Sequence, residues 1–110
     1  MSVHPRPEGG SGVSADRDPL VKQLREQISD NDRAMVELVN KRLRLVATLK
    51  RHKESKGIGF VDPEREQWML SYLRRANRGP LSDEGLEELF DQILDLTKRE
   101  VARVEHPKAG

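Results

Sequence analysis

The sequence predicts an all-α protein, with three helices per chain, one long and two shorter, in an intertwined helical homodimer. Three observations lead there. Apolar residues recur at three- and four-residue intervals, and no stretch shows the alternation of a strand. Within the periodic region, Gly and Pro cluster at Gly57–Gly59 and at Gly79–Pro80, which cuts it into three pieces. The first piece is too long to bury its apolar stripe against its own chain.

The elements follow in order. Residues 1–17, "MSVHPRPEGGSGVSADR", hold much Pro, Gly and Ser and little to bury, so a disordered N-terminal tail is expected. A helical domain then covers 18–104, and 105–110 form a C-terminal tail. From about Asp18 to Lys53 no Gly or Pro interrupts the chain after Pro19, and Leu20, Leu24, Ile28, Met35, Leu38, Leu45 and Leu49 keep helical spacing. Such a helix is roughly 50 Å long, whereas a compact domain of this size has a radius of gyration near 13 Å. The economical cover for the remaining stripe is the same helix of a second chain. A plain two-stranded zipper fits less well. The heptad series 24, 31, 38, 45 reads Leu, Asn, Leu, Leu and the series 28, 35, 42, 49 reads Ile, Met, Arg, Leu.

In "GFVDPEREQWML" (59–70), Asp62 is placed to cap a second helix and Pro63 suits its first position. That helix runs to about Ala76. "NRGP" makes the next turn, and Ser82 caps a third helix with the stripe Leu86, Phe90, Ile93, Thr97, Val101, Val104. Asp83 and Glu84 suit the positive end of its dipole.

The 110 residues suit one domain, and charged and hydrophobic residues each make up 35% of the chain, so a single-chain core would be thin. Twenty Lys and Arg against nineteen Asp and Glu leave no basic stripe of the kind nucleic acid requires. Without cysteine, and with three scattered histidines, no metal site is expected. No apolar run is long enough to span a bilayer and no signal-peptide core precedes the helices, so a cytoplasmic location is expected.

Charges within the apolar stripes carry the functional reading. Arg42 shares a stripe with Ile28, Met35 and Leu49, and Lys53, eleven residues on, returns to within about 20° of it. A buried cation needs an internal carboxylate or an anionic ligand, because leaving it unpaired costs several kcal/mol. Arg42 can pair with an acid such as Glu66, or snorkel to water. On the second helix Glu66 leads a stripe with Met69, Leu70 and Leu73, four residues after Asp62, while Arg65 lies beside Met69 and Tyr72. Arg25, amid "REQISDND", faces solvent in its own chain unless an antiparallel partner receives it. Together these make a pocket for a small dianion, with no cofactor and no nucleophile–base pair. Such a pocket suits a reaction that needs only orientation and stabilisation of developing charge.

These residues resemble the all-helical chorismate mutase family. The resemblance runs from about Leu20 to Val104: "LREQISDNDRAMVELVNKRLRLV" resembles its first helix, "KRHKESKGIGFVDPERE" its lysine, loop and D-x-x-R-E motif, and "LFDQILDLTKREV" its third helix. It implies rearrangement of chorismate to prephenate in phenylalanine and tyrosine biosynthesis, in a homodimer with shared active sites. It further implies that Arg25 of the partner and Arg42 bind the two carboxylates and that Lys53 donates to the ether oxygen. Arg65 and Thr97 would contact a carboxylate, and Asp62 with Glu66 would hold the ring hydroxyl. Val101 departs from the pattern, since the family commonly has Gln or Glu there to serve the ether oxygen with the lysine. Two enzyme alternatives share the fold, an isochorismate pyruvate lyase and an aminodeoxychorismate mutase. A third is a non-catalytic helical dimer that senses an anionic metabolite or docks on another shikimate-pathway enzyme.

Overall fold

The computed structural model describes residues 17–105, with side chains through Arg103. The tails expected over 1–17 and 105–110 fall, apart from Arg17 and Glu105, outside the described residues. Three α-helices follow one another: α1 (Pro19–Ser55), α2 (Pro63–Ala76) and α3 (Asp83–Glu105). All of the regular structure is helical among the described residues, as the periodicity predicts. Among the same residues, no helix is long and apolar enough to cross a membrane.

Each boundary has a local cause. Asp18 Oδ1 accepts from the Leu20 and Val21 backbone N–H groups at 2.9 and 3.2 Å, and Pro19 fills the first position of α1. Thirty-seven residues later α1 ends in a reversed-turn cap. Gly57 takes φ +70°, its N–H reaches the Glu54 carbonyl at 3.2 Å, and the Ile58 N–H reaches the Lys53 carbonyl at 2.8 Å. A left-handed residue at this place closes the last turn's free carbonyls, and glycine takes that conformation without a Cβ clash.

Asp62 caps α2 as expected, its Oδ1 accepting from the Arg65 N–H at 3.1 Å. Asn77 organises the turn after α2 by donating to the Leu81 carbonyl at 2.7 Å and accepting from the Gly79 N–H at 3.0 Å. Ser82 Oγ then accepts from the Gly85 N–H at 3.0 Å, and α3 begins. An ion pair between Arg74 and Glu87 joins the last turn of α2 to the first turns of α3.

The chain divides into two compact units, Met1–Val39 and Asn40–Gly110. The described part of the first is the N-terminal stretch of α1. There Leu20, Leu24, Ile28, Met35 and Leu38 stay exposed, Leu38 at 64%, so the stripe finds no cover among the described residues of its own unit. The second unit gathers the rest of α1 with α2 and α3. Its buried residues, among those described, are Ala47 from α1 and Leu86, Thr97 and Val101 from α3. Leu86, Thr97 and Val101 belong to the stripe foreseen for the third helix; Phe90 and Ile93 on it are half-buried. So small a core agrees with the composition. Leu45 and Leu49 continue the exposed seam here, and Trp68 and Tyr72 on α2 are also about half exposed.

Candidate active site

The second unit holds a cavity of about 230 Å³ between the end of α1, the 56–62 loop, α2 and the second half of α3. Apolar side chains, among them Val46, Leu49, Phe60, Met69 and Leu94, make much of its wall. Into that surface are set Arg42, Lys53, Asp62, Arg65, Glu66, Thr97 and Lys98. At about 230 Å³ it lies just below the roughly 300–1,000 Å³ common for ligand pockets, which limits it to a small molecule.

Arg42 is half-buried, and burial lowers its guanidinium pKa from the ordinary value, because removing solvent disfavours the charged form. An arginine keeps its proton even so. Its Nη1 donates to Thr97 Oγ1 at 2.5 Å, and Thr97 Oγ1 in turn donates to the Ile93 carbonyl at 2.6 Å, one turn back along α3. The hydroxyl therefore has both a donor and an acceptor, which satisfies a polar side chain that is only 6% exposed. A single hydroxyl leaves most of the five guanidinium N–H donors for other partners.

Lys53, in the last turn of α1, directs Nζ toward the Phe60 carbonyl at 3.4 Å. The cap at Gly57 turns the chain so that Phe60 and Val61 form part of the wall. Asp62 follows with one carboxylate oxygen already engaged by the backbone of α2. Arg65 lays its guanidinium 4.2 Å from the Trp68 ring centroid, and the Trp68 ring stacks on Tyr72 at 5.3 Å. The sequence placed Arg65 beside Tyr72; the ring it meets is Trp68, three residues on in the helix.

Glu66 meets a cation, though not the one foreseen. Arg42 turns to Thr97, and the carboxylate of Glu66 lies 3.7 Å from Lys98 Nζ. The sequence reading missed Lys98. It followed α3 along the narrow series 86, 90, 93, 97, 101, whereas a helix face also takes in the flanking i+4 and i+8 positions. Leu94 and Lys98, four apart on that flank, both line the cavity.

Thus Arg42, Lys53, Asp62, Arg65, Glu66 and Thr97, all named from sequence, surround one space. Arg25 and Val101 do not line it. Arg25 belongs to the first unit, where it borders a shallow groove with Lys22, Glu26, Ser29 and Asp30. Val101 is 1% exposed and belongs to the core. Glu100, the residue before Val101 on α3, pairs with Arg103 at 3.0 Å. Among the described residues no group of three or more His, Cys, Asp or Glu is placed to hold a metal ion.

Residues 24–101 match the profile of the family described as chorismate mutase type II. A bifunctional chorismate mutase/prephenate dehydratase of Pseudomonas aeruginosa is 36% identical over 85 residues, which are 73% of this chain and 23% of the relative. Another of the same name from Stutzerimonas stutzeri is 32% identical over 79 residues, 67% of this chain and 22% of the relative. The chain thus spans less than a quarter of the length of these relatives. Among solved structures, form II of chorismate mutase from Thermus thermophilus superposes with a TM-score of 0.71 at 32% identity, covering 76% of this chain and 94% of that one. Form I of the same protein gives a TM-score of 0.68 at 34% identity, covering 70% and 96%.

Proposed function

This chain belongs to the type II chorismate mutase family, and we propose that its cavity catalyses the rearrangement of chorismate to prephenate, making it an isomerase of aromatic amino acid biosynthesis. The observation that carries the reading is that four cations and two carboxylates share one small, otherwise apolar cavity. Chorismate is a dicarboxylate with a ring hydroxyl and an ether. In its rearrangement the ether C–O bond breaks as a C–C bond forms within the same molecule, so no group is transferred to the protein. Catalysis then rests on holding a reactive conformer and on meeting the negative charge that grows at the ether oxygen.

Roles follow from chemistry and position. Arg42, turned into the cavity and already oriented by Thr97, offers its remaining donors to one carboxylate in the planar geometry that guanidinium favours. Lys53 is a movable point charge whose Nζ makes a long bond to the Phe60 carbonyl, which suits donation to the ether oxygen. Arg65 adds positive charge near a carboxylate, and Thr97 contacts the same end of the substrate. Asp62 and Glu66 accept from the ring hydroxyl, Asp62 through the oxygen that does not cap α2.

The second substrate carboxylate would be met by Arg25 of a second copy. Support comes from the long α1 and its exposed seam of Leu24, Ile28, Met35, Leu38, Leu45 and Leu49. These positions lie four, seven, three, seven and four apart, one helix face interrupted at Asn31 and Arg42, and a second copy would cover it. We therefore place the protein as a homodimer with shared sites. Its product would pass to a further activity of the same pathway, and the two bacterial relatives, by name, carry prephenate dehydratase activity beside the mutase.

Incubating purified protein with chorismate and following loss of its absorbance together with formation of prephenate tests the reading. Prephenate should appear without added metal or cofactor. Release of pyruvate from isochorismate but no prephenate from chorismate would place the chain with the lyases. Rearrangement of aminodeoxychorismate alone would place it with the amino-substrate mutases. Binding of chorismate with no turnover would mark a sensor.

A further inference from the structure

Lys98 is the one charged side chain of the cavity that the motif pattern leaves unexplained. It stands one residue beyond Thr97 on α3, lines the cavity, and lies 3.7 Å from the Glu66 carboxylate across from α2. Its side chain is 48% exposed and that of Glu66 33%, so as a fold-stabilising salt bridge the pair is worth little. Its position bears on ligand charge instead.

We propose that Lys98 is a charge-balancing and positioning residue, which offsets the Glu66 carboxylate and so raises the affinity of the cavity for a dicarboxylate. The inference rests on the dianionic substrate class proposed above. Within one chain, Arg42, Lys53, Arg65 and Lys98 against Asp62 and Glu66 are four cations less two carboxylates, a formal +2, to which Arg25 of a second copy would add one. Without Lys98 the sum falls by one, and Glu66 faces an incoming dianion without the cation that pairs with it. A carboxylate that must accept from a hydroxyl cannot be dispensed with, so its repulsion has to be cancelled from the side. Lys98 does this from the rim, where its chain can follow the carboxylate. It also draws Glu66 toward α3, on the side of the cavity where Arg42 and Thr97 meet.

Separate quantities test this in the full-length protein: prephenate binding by calorimetry, which needs no turnover, and KM and kcat for chorismate. Lys98→Gln should weaken prephenate binding and raise KM about tenfold, equivalent to about 1.4 kcal/mol, with kcat changed less than threefold. Lys98→Arg should keep both within threefold. The decisive variant is the double change Glu66→Gln with Lys98→Gln, which restores the formal +2. Prephenate affinity should then recover most of the tenfold loss, although kcat falls because a neutral amide is a weaker acceptor than the carboxylate. A merely structural salt bridge gives no such recovery. The affinity of wild type should also fall more steeply with added salt than that of Lys98→Gln.

Unchanged prephenate affinity in Lys98→Gln overturns the proposal, and so does a double variant as weak as the single one. If wild type binds prephenate with the stated charge dependence but does not turn over chorismate, the mutase reading fails and the role of Lys98 stands. If wild type binds no dicarboxylate, both fall.

Discussion

Arg42 on α1 and Thr97 on α3 are joined by a 2.5 Å hydrogen bond between residues 55 apart in sequence, and Thr97 passes the bond on to the Ile93 carbonyl at 2.6 Å. The half-buried guanidinium is thereby aimed from one helix by a hydroxyl on another. Burial lowers its pKa, so the cation is partly stripped of water while still charged, a condition that an anionic ligand relieves.

Thr97→Val keeps the shape of the side chain but removes the acceptor for Arg42. We expect kcat/KM for chorismate to fall about tenfold, near the lower bound for a hydrogen bond to a charged group, and Thr97→Ser to keep wild-type activity within threefold. Arg42→Lys retains the charge and loses the fork, and should cost about a hundredfold. Activity of Arg42→Lys within twofold of wild type would remove Arg42 from the site.

Asp62 has two duties that can be separated. Asn caps a helix about as well as Asp, whereas Ala loses roughly 1 kcal/mol. Thermal unfolding should therefore find Asp62→Asn close to wild type and Asp62→Ala a few degrees lower. Both should raise KM or lower kcat, since both lack the carboxylate facing the cavity. An Asp62→Asn protein of full activity would confine Asp62 to its capping role.

Shared sites predict complementation. Arg25→Ala and Arg42→Ala should each be inactive, and a mixture that exchanges subunits should regain activity, because one of the two sites in each mixed dimer then carries both arginines. Sedimentation would show whether dimers form and mass spectrometry whether they exchange. Exchanged dimers without activity would refute the placement of Arg25 across the interface.

Val101 is the departure from the family pattern and also the most enclosed side chain among the described residues, at 1% exposure. Side chains on a helix lean toward its N-terminus, so a longer residue at 101 reaches back to the level of Thr97. Val101→Gln should lower stability by about 1–3 kcal/mol, as an amide replaces packed methyl groups. It should also raise kcat about tenfold by supplying a donor to the ether oxygen, below the roughly 2–4 kcal/mol of a well-held donor because no neighbouring group has been fitted to hold the new amide. Val101→Leu should bring no gain. A folded Val101→Gln enzyme slower than wild type would show that the ether oxygen does not lie within reach of position 101.

Much of this protein is legible along the chain because its determinants are local. Helix spacing, Asp62 before Pro63, Gly57 after the long helix and Ser82 before Asp83 each act within a few residues, and each forms the boundary foreseen. Arg42 and Lys53 on an apolar stripe likewise call for an internal carboxylate, an anionic ligand or a path to water, because a buried cation left unpaired costs several kcal/mol. What the sequence could not settle is which groups meet across helices. Arg42 selects Thr97 and Glu66 selects Lys98 because ion pairs and hydrogen bonds depend on ångström distances between helix faces, whereas periodicity assigns a residue only to a face. The absence of Val101 from the cavity wall and the entry of Lys98 into it are decided in the same way, by how α3 is rotated against its neighbours, a quantity set by the packing of the whole core and by no single segment of the chain.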